Sequence, residues 1–154
     1  MKKINSNLYK QAMGKFATGL TIISINKKNR FIGKTVNSLA SLSLNPPLIL
    51  FSLDKKSSSL NDFKYSIFIG VNILAKNQKI LSKRFSNKKP SWGYTSFFLN
   101  NNNIPMIKDS VVNLNCRKIK TITQGDHIIF ICQIIEVKID NNKNPLIYIN
   151  SKYI

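Results

Sequence analysis

Residues 33–54, GKTVNSLASLSLNPPLILFSLD, say more about the fold than any other part of the chain. The first half is dense in small polar side chains, which suit a backbone segment that faces a polar ligand. Pro46 and Pro47 exclude a helix, fix an extended entry and remove two backbone donors. The apolar run at residues 48–51 predicts a buried strand, followed by a second polar turn at residues 52–59. The stretch therefore predicts two polar loops that a sheet presents to one ligand.

The rest of the chain predicts short strands joined by turns, with only short helices between them. Helical spacing predicts a first helix at residues 7–16, with Ser6 or Asn7 as its N-cap, and an amphipathic helix at residues 75–85. Apolar and β-branched runs predict further strands at residues 20–26, 30–36, 65–74, 111–123, 127–139 and 145–149. Strands in this number indicate a mainly β fold, a closed or nearly closed antiparallel barrel.

One long connection, residues 86–103, has no regular pattern and ends in a run of asparagines. It is either a lid or an insertion. Trp92 in this segment either covers a ligand or packs against the body of the protein, and we favour packing. The asparagine run predicts the tip of a loop.

Length and composition predict one folded domain over residues 1–154, because 43% of the residues are apolar. No apolar run is long enough to span a bilayer, and the first residues lack the apolar core of a signal peptide. We therefore expect a cytoplasmic protein. Cys116 and Cys132 lie far apart among apolar neighbours, which favours core thiols over a disulfide or a metal site.

The formal net charge of +18 has two interpretations. It is the charge of a nucleic-acid-binding protein, or it reflects a compositional bias toward lysine, asparagine and isoleucine. The lysines are spread over turns instead of forming one stripe, and no nucleic-acid-binding motif is present, so we favour the bias. A basic surface still helps to steer anionic cofactors.

Catalytic side chains are scarce, with six acidic residues and one histidine in the whole chain. No P-loop, dinucleotide fingerprint, nucleophile elbow or zinc-ligand cluster occurs. An enzyme built from this sequence must take its reactivity from a cofactor, and a flavin needs amides and hydroxyls more than acids and bases. Residues 57–59 are three serines beside two lysines, which suit either a phosphate site or an ordinary N-capped helix. His127 either contacts a substrate or caps a turn.

These motifs together resemble the flavin reductase-like family, whose fold is the FMN-binding split β-barrel. The resemblance runs from about Met13 to Tyr153. It rests on FATGLTIIS, the signature GKTVNSLASLSLNPPLILFSLD, FIGVNIL, LSKRFS, GDHIIF and PLIYINSKY, which occur in family order. The long signature followed by Asp-His is the most specific part.

The resemblance implies a homodimer with flavin near the subunit interface, and hydride transfer from NADH or NADPH to the flavin. It implies that reduced flavin passes to a separate monooxygenase. His127 would lie close to the nicotinamide as the catalytic residue. The implied cofactor-binding residues are Lys34, Thr35, Val36, Asn37, Ser38, Ala40, Ser41, Ser52, Leu53, Asp54, Lys55, Ser57, Ser58, Ser59, Asn72, Ile73, Leu74, Arg84, Phe85 and Tyr148.

Within this resemblance we expect FMN to be favoured over FAD, and no metal. Lys34 stands where the family more often has an apolar residue, and a cation near the ring would stabilise anionic reduced flavin or alter its redox potential. No role from the family is assigned to residues 87–103, whose asparagine-rich sequence does not match the family pattern. The alternatives are a flavin carrier, a reductase of another acceptor such as a ferric complex, and a basic nucleic-acid-binding barrel.

Overall fold

The computed structural model describes all 154 residues, and a seven-stranded sheet forms its centre. Every pair of neighbouring strands is antiparallel, and the order across the sheet is β3-β2-β6-β9-β10-β5-β4. The strands are β1 (Thr18–Gly19), β2 (Thr21–Lys27), β3 (Arg30–Val36), β4 (Ala40–Ser43), β5 (Leu48–Asp54), β6 (Phe68–Ile73), β7 (Phe97–Leu99), β8 (Pro105–Ile107), β9 (Val112–Gln124), β10 (His127–Ile139), β11 (Ile147–Ile149) and β12 (Lys152–Tyr153). The predicted mainly β, antiparallel fold is confirmed.

Three short helices flank the sheet, and none of them is both long and apolar enough to cross a membrane. They are α1 (Ser6–Gly14), α2 (Leu60–Tyr65) and α3 (Lys79–Ser86), and a 3-10 turn at Lys76–Gln78 leads into α3. Two small sheets complete the fold: β1, β11 and β12 form one, and β7 and β8 form the other.

Ser38 holds the end of β3 against β5. Its hydroxyl donates to the carbonyl of Ser52 at 3.2 Å and accepts from the N–H of Ser52 at 3.0 Å. Ser38 lies just after β3 and is 14 residues from Ser52. Strands β3 and β5 are not paired in the sheet, so these two hydrogen bonds connect them in place of a ladder.

Alternating side chains on the strands fill the main core. Ile49, Phe51 and Leu53 on β5 are buried while the residues between them are half-exposed, which is the period-two pattern of a strand with one face inside. Phe51 pairs with Phe130 of β10, and the two rings stack with their centroids 5.0 Å apart. The buried, free thiols of Cys116 and Cys132 belong to this same core.

A second apolar cluster joins β2, β8 and α3. Phe85 is fully buried in it and meets Trp92 edge-on, with ring centroids 4.9 Å apart. Gly33 permits this packing, since a Cβ at that position would lie 2.7 Å from the Phe85 ring. Trp92 therefore packs against the body of the protein, as predicted.

A buried polar network centred on Asn72 ties β8 to the central sheet, with which β8 shares no ladder. The amide of Asn72 on β6 donates to the carbonyl of Ile22 at 2.9 Å and accepts from the N–H of Ile107 at 2.9 Å. The side chain of Asn113 donates to the same Asn72 oxygen at 2.8 Å. Asn72 is fully buried, so these bonds offset the cost of burying its amide.

Several predicted boundaries are corrected by the structure. Asn5, and not Ser6 or Asn7, caps α1, because its side chain accepts from the N–H of Leu8. Tyr65 ends α2 instead of starting a strand, since Leu60 and Phe63 bury one side of that single helical turn. The predicted loop at residues 86–103 contains β7, and turns occur at residues 93–94 and in its asparagine run.

Candidate functional site

A cleft opens where β3, β5 and β10 meet. Its volume is about 220 Å³. The cleft is lined by Lys34, Thr35, Val36, Asn37, Ser38, Ser52, Leu53, Asp54, Ser57 and His127. All ten are residues that the sequence predicted for the site, and they come from three segments of the chain.

The register between β5 and β10 brings His127 to the signature. His127 is paired with Asp54 across these strands, and Ile129 with Ser52. Ser38 is bonded to Ser52, so the end of β3 joins the same edge. The cleft therefore has a wall of backbone and hydroxyls from β3 and β5, with one imidazole beside it.

The turn before His127 is fixed by two neighbours. The ammonium of Lys55 donates to the carbonyl of Gly125 at 2.6 Å, and the N–H of Lys55 donates to the carbonyl of Asp126 at 2.9 Å. Nδ1 of His127 lies 2.7 Å from a carboxylate oxygen of Asp126. Lys55 thus supports the histidine turn and does not line the cleft.

Asp126 contacts His127 but was not among the predicted site residues. The hydrogen bond with His127, and then the charge of His127, hold the pKa of Asp126 below its ordinary value. An acceptor on Nδ1 fixes which ring nitrogen remains for a ligand. The signal was present in the sequence, since the two residues are adjacent in GDHIIF.

Lys34 points its ammonium toward the end of α3. The ammonium donates to the carbonyls of Ser86 at 3.0 Å and Asn87 at 3.3 Å. Burial lowers the pKa of Lys34 below its ordinary value. A cation at the C-terminal end of a helix is favourable, which gives this unusual residue a structural reason.

The three serines divide between two depressions. Ser57 lines the cleft, whereas Ser58 and Ser59 line a neighbouring groove of about 410 Å³. We name it the basic groove; its polar lining is Arg30, Lys34, Ser58, Ser59, Asp62, Lys88 and Lys89. Ser59 stands at the N-cap of α2 without a side-chain capping bond, so capping does not account for its hydroxyl.

Three predicted contacts belong to the core instead of the cleft. Asn72, Leu74 and Phe85 are each fully buried, and none lines the cleft. The side-chain amide of Asn72 is hydrogen-bonded to Ile22, Ile107 and Asn113. In this structure these three side chains belong to the buried packing and do not reach the cleft.

The remaining predicted residues lie outside the cleft as well. Ala40 and Ser41 are exposed on β4, and Ile73 is half-buried at the end of β6. Arg84 donates to the carbonyl of Gly93 at 2.9 Å and to the hydroxyl of Thr95 at 3.0 Å. Tyr148 packs edge-on against Tyr153, with centroids 5.4 Å apart.

Comparison with known proteins identifies the family. The model of the flavin reductase like domain matches residues 13–154. The chain is 32% identical over 131 residues to the FMN reductase (NADH) SmoA of Agrobacterium fabrum, covering 85% of this chain and 75% of that protein. It is 29% identical over 154 residues to the NADH-dependent flavin reductase StyB of Pseudomonas fluorescens, covering 97% of this chain and 89% of that protein.

A solved structure agrees with these relatives. The flavin reductase PheA2 superimposes with a TM-score of 0.90 at 35% identity, over 97% of each chain. The sequence match, the shared fold and the cleft formed by the signature lead to one conclusion: the chain belongs to the flavin reductase-like family.

Proposed function

We propose that this protein is an NAD(P)H-dependent flavin reductase that transfers a hydride from the nicotinamide to FMN. The observation that carries the proposal is the cleft, which joins residues 34–38, the end of β5 and His127 in one depression. The lining supplies amides, hydroxyls and one imidazole, the donor set that flavin binding needs. Both named relatives are NADH-dependent, which supports NADH as the reductant.

The residues of the cleft fit a flavin ring. Asn37 is an exposed residue of the cleft lining, so its amide is open to a ligand, and Ser57 also lines the cleft. Val36 and Leu53 are buried apolar residues that line the cleft. An apolar lining of this kind suits a flat aromatic ring. Thr35 is held in place because its hydroxyl donates to the carbonyl of Ser82 at 2.7 Å.

When bound, the flavin supplies the ring that accepts the hydride. The chain's own residues bind and orient the two reactants. Residues 35–38 would form the wall that binds the ring, and His127 would present to the reactants the imidazole nitrogen that Asp126 leaves free. Hydride transfer needs no general base, so correct placement of the reactants is the main contribution of this site.

The test is a titration of the purified protein with FMN, followed by NADH oxidation in the presence of FMN, FAD or riboflavin. We expect a yellow complex and flavin-dependent oxidation of NADH. The absence of both would overturn the proposal. The same assay with NADPH determines the preferred reductant.

We also propose that the protein is a homodimer whose interface borders the cleft. The outer face of the sheet near the cleft carries partly exposed apolar side chains on four strands: Leu42, Leu48, Leu50, Ile122, Ile129 and Ile131. Ser52 and His127 belong to the same face by strand alternation. A second copy seated there would therefore exclude water next to the site.

Sedimentation and light scattering test the dimer. We expect a dimer for the natural chain and a monomer for Ile131→Lys, which places a charge in the middle of this face. Lys138→Glu, which lies outside this set of apolar residues, is the control for a change of charge. A monomeric natural chain would contradict the proposal.

We infer that the reduced flavin is delivered to a separate monooxygenase component. The support is the open cleft, from which a flavin can leave, together with relatives such as the flavin-dependent monooxygenase reductase subunit HsaB of Mycobacterium tuberculosis. Stopped-flow measurement of reduced flavin leaving the protein tests this inference. Retention of reduced flavin until it reoxidises on the protein would contradict it.

A further inference from the structure

Helix α1 is attached to the body of the protein without being buried in it. None of its nine residues is buried, and only Leu8 and Gly14 are half-buried. Its C-terminal end is held where the N–H of Asn150 donates to the carbonyl of Gly14 at 2.7 Å. Helices in proteins gain most of their stability by packing an amphipathic face against a partner. The rest of this chain does not cover such a face on α1.

The uncovered face is apolar and aromatic. Tyr9, Met13 and Phe16 follow the spacing i, i+4, i+7, and the N–H of Phe16 donates to the carbonyl of Met13 at 3.1 Å, so the last turn continues past the helix. The three residues are 58%, 51% and 69% exposed, and Ile4, just before the helix, is 65% exposed. We name Tyr9, Met13 and Phe16 the α1 face. Large apolar side chains gathered on one side of a helix mark an interaction surface.

The charges around the α1 face are all of one sign. Lys10 and Lys15 flank the face on its two sides by helical spacing, and Lys2 and Lys3 precede the helix. The first carboxylate in the chain is that of Asp54, so this segment has no acidic residue of its own. Lysine side chains can lie along an apolar surface and extend their ammonium groups beyond it. An apolar face flanked by lysines suits a surface with an apolar interior and anionic groups above it.

A second copy of the chain does not supply that surface. Only six acidic residues are present, and five of them are already engaged within the chain. The engaged residues are Asp62 with Lys27 and Arg30, Asp109 and Asp140 with Lys143, Asp126 with His127, and Glu136 with Asn101 and Asn115. The sixth, Asp54, lines the cleft. A second copy therefore offers the lysines around α1 no free acidic surface.

We propose that the α1 face docks onto the surface of an anionic phospholipid bilayer. Its two aromatic rings and Met13 enter the boundary between headgroups and acyl chains, and the flanking lysines meet the anionic headgroups. The net charge of +18 attracts the rest of the protein to the same surface. The protein binds peripherally, and no segment crosses the bilayer. This inference goes beyond the proposed function and does not depend on it.

The test is flotation of the full chain with vesicles of phosphatidylcholine alone or with about one quarter phosphatidylglycerol. We expect binding to the anionic vesicles that is at least about tenfold stronger than binding to the neutral ones. The variant Y9S/M13S/F16S keeps every charge and should weaken binding to the anionic vesicles by about tenfold. The matched control Y65S/I67S/I80S removes three exposed apolar side chains elsewhere and should stay within about twofold of the natural chain.

A second variant tests the charges separately. K10Q/K15Q keeps the α1 face and should weaken binding to the anionic vesicles by about tenfold, with little change for the neutral ones. Because no residue of α1 is buried, both α1 variants should unfold in urea at the same midpoint as the natural chain.

Three results would overturn the inference. The first is a natural chain that does not bind the anionic vesicles. The second is equal binding by Y9S/M13S/F16S and the natural chain, which would mean that the basic body alone attracts lipid. The third is a change from dimer to monomer in Y9S/M13S/F16S without lipid, measured by sedimentation, which would assign the α1 face to a second copy. NADH oxidation is measured separately, so a chain that binds vesicles through α1 but reduces no flavin contradicts only the proposed function.

Discussion

Nδ1 of His127 lies 2.7 Å from a carboxylate oxygen of its neighbour in the chain, Asp126. Since that contact occupies Nδ1, Nε2 is the ring nitrogen that remains for a ligand in the cleft. The pairing of His127 with Asp54 then places this imidazole beside the end of β5. One short turn therefore sets both the position of the imidazole and the choice of nitrogen.

The first prediction concerns His127→Ala. Loss of a hydrogen bond to the nicotinamide should lower kcat/KM for NADH by about tenfold to a hundredfold, while the Kd for FMN changes little. Steady-state kinetics with FMN as acceptor measures the effect. His127→Gln keeps a donor side chain and should lose less. Equal kcat/KM in all three proteins would mean that the imidazole only supports the turn.

The second prediction concerns pH and Asp126→Asn. The pKa of Asp126 is lower in the folded protein than in the unfolded chain, first because of the hydrogen bond with His127 and then because of its charge. The carboxylate therefore stabilises the fold fully above its unfolded pKa of about 3.9, and this contribution is lost as the pH falls through the folded pKa. The free energy of unfolding, measured with urea, should be higher for the natural protein than for Asp126→Asn at neutral pH. This difference in free energy should shrink in acid. A difference independent of pH would contradict this.

The strands were predictable from sequence wherever a turn and an apolar run both mark their ends. The bounds of β3 and β10 match the predicted residues 30–36 and 127–139, because lysine- and glycine-containing turns delimit them. Helix α2 was expected only as one of two readings of the serine run, since the six residues that form it are too few to show a helical period. Strand β7 was missed because its partner β8 is only three residues long.

The site was predictable through the resemblance, and not by periodicity alone. Residues 34–38 and His127 are far apart in sequence, and only the strand order brings them to one cleft. Asn72 and Phe85, which the resemblance implies as cofactor contacts, do not line the cleft. Their side chains are fully buried, and the side on which a residue faces depends on tertiary contacts that the sequence pattern does not give.

The third prediction concerns Asn37→Ala. The amide of Asn37 is exposed at the cleft, so its removal should weaken FMN binding by about fivefold to tenfold without lowering the free energy of unfolding. Fluorescence titration measures the Kd, and urea unfolding checks stability. Asn141→Ala, in an exposed turn away from the cleft, is the matched control. Unchanged affinity and turnover in Asn37→Ala would show that the flavin is placed wrongly.

The fourth prediction concerns Gly33→Ala. The added Cβ would lie 2.7 Å from two atoms of the Phe85 ring and 3.1 Å from Trp92. Because Phe85 is fully buried, overpacking should lower the free energy of unfolding by about 1–3 kcal/mol. Gly19→Ala adds the same methyl group where nothing lies within 4 Å, and it should be nearly neutral. Equal stability of the two variants would contradict the packing described for Gly33.

The two buried cysteines have a consequence for a protein that makes reduced flavin. Free reduced flavin reacts with dioxygen and yields hydrogen peroxide, and thiolates, not thiols, are the groups that peroxide oxidises. Burial raises the pKa of Cys132 to about 12 and raises that of Cys116 as well, so both remain protonated at neutral pH. The core thus keeps both cysteines as unreactive thiols beside a reaction that generates an oxidant.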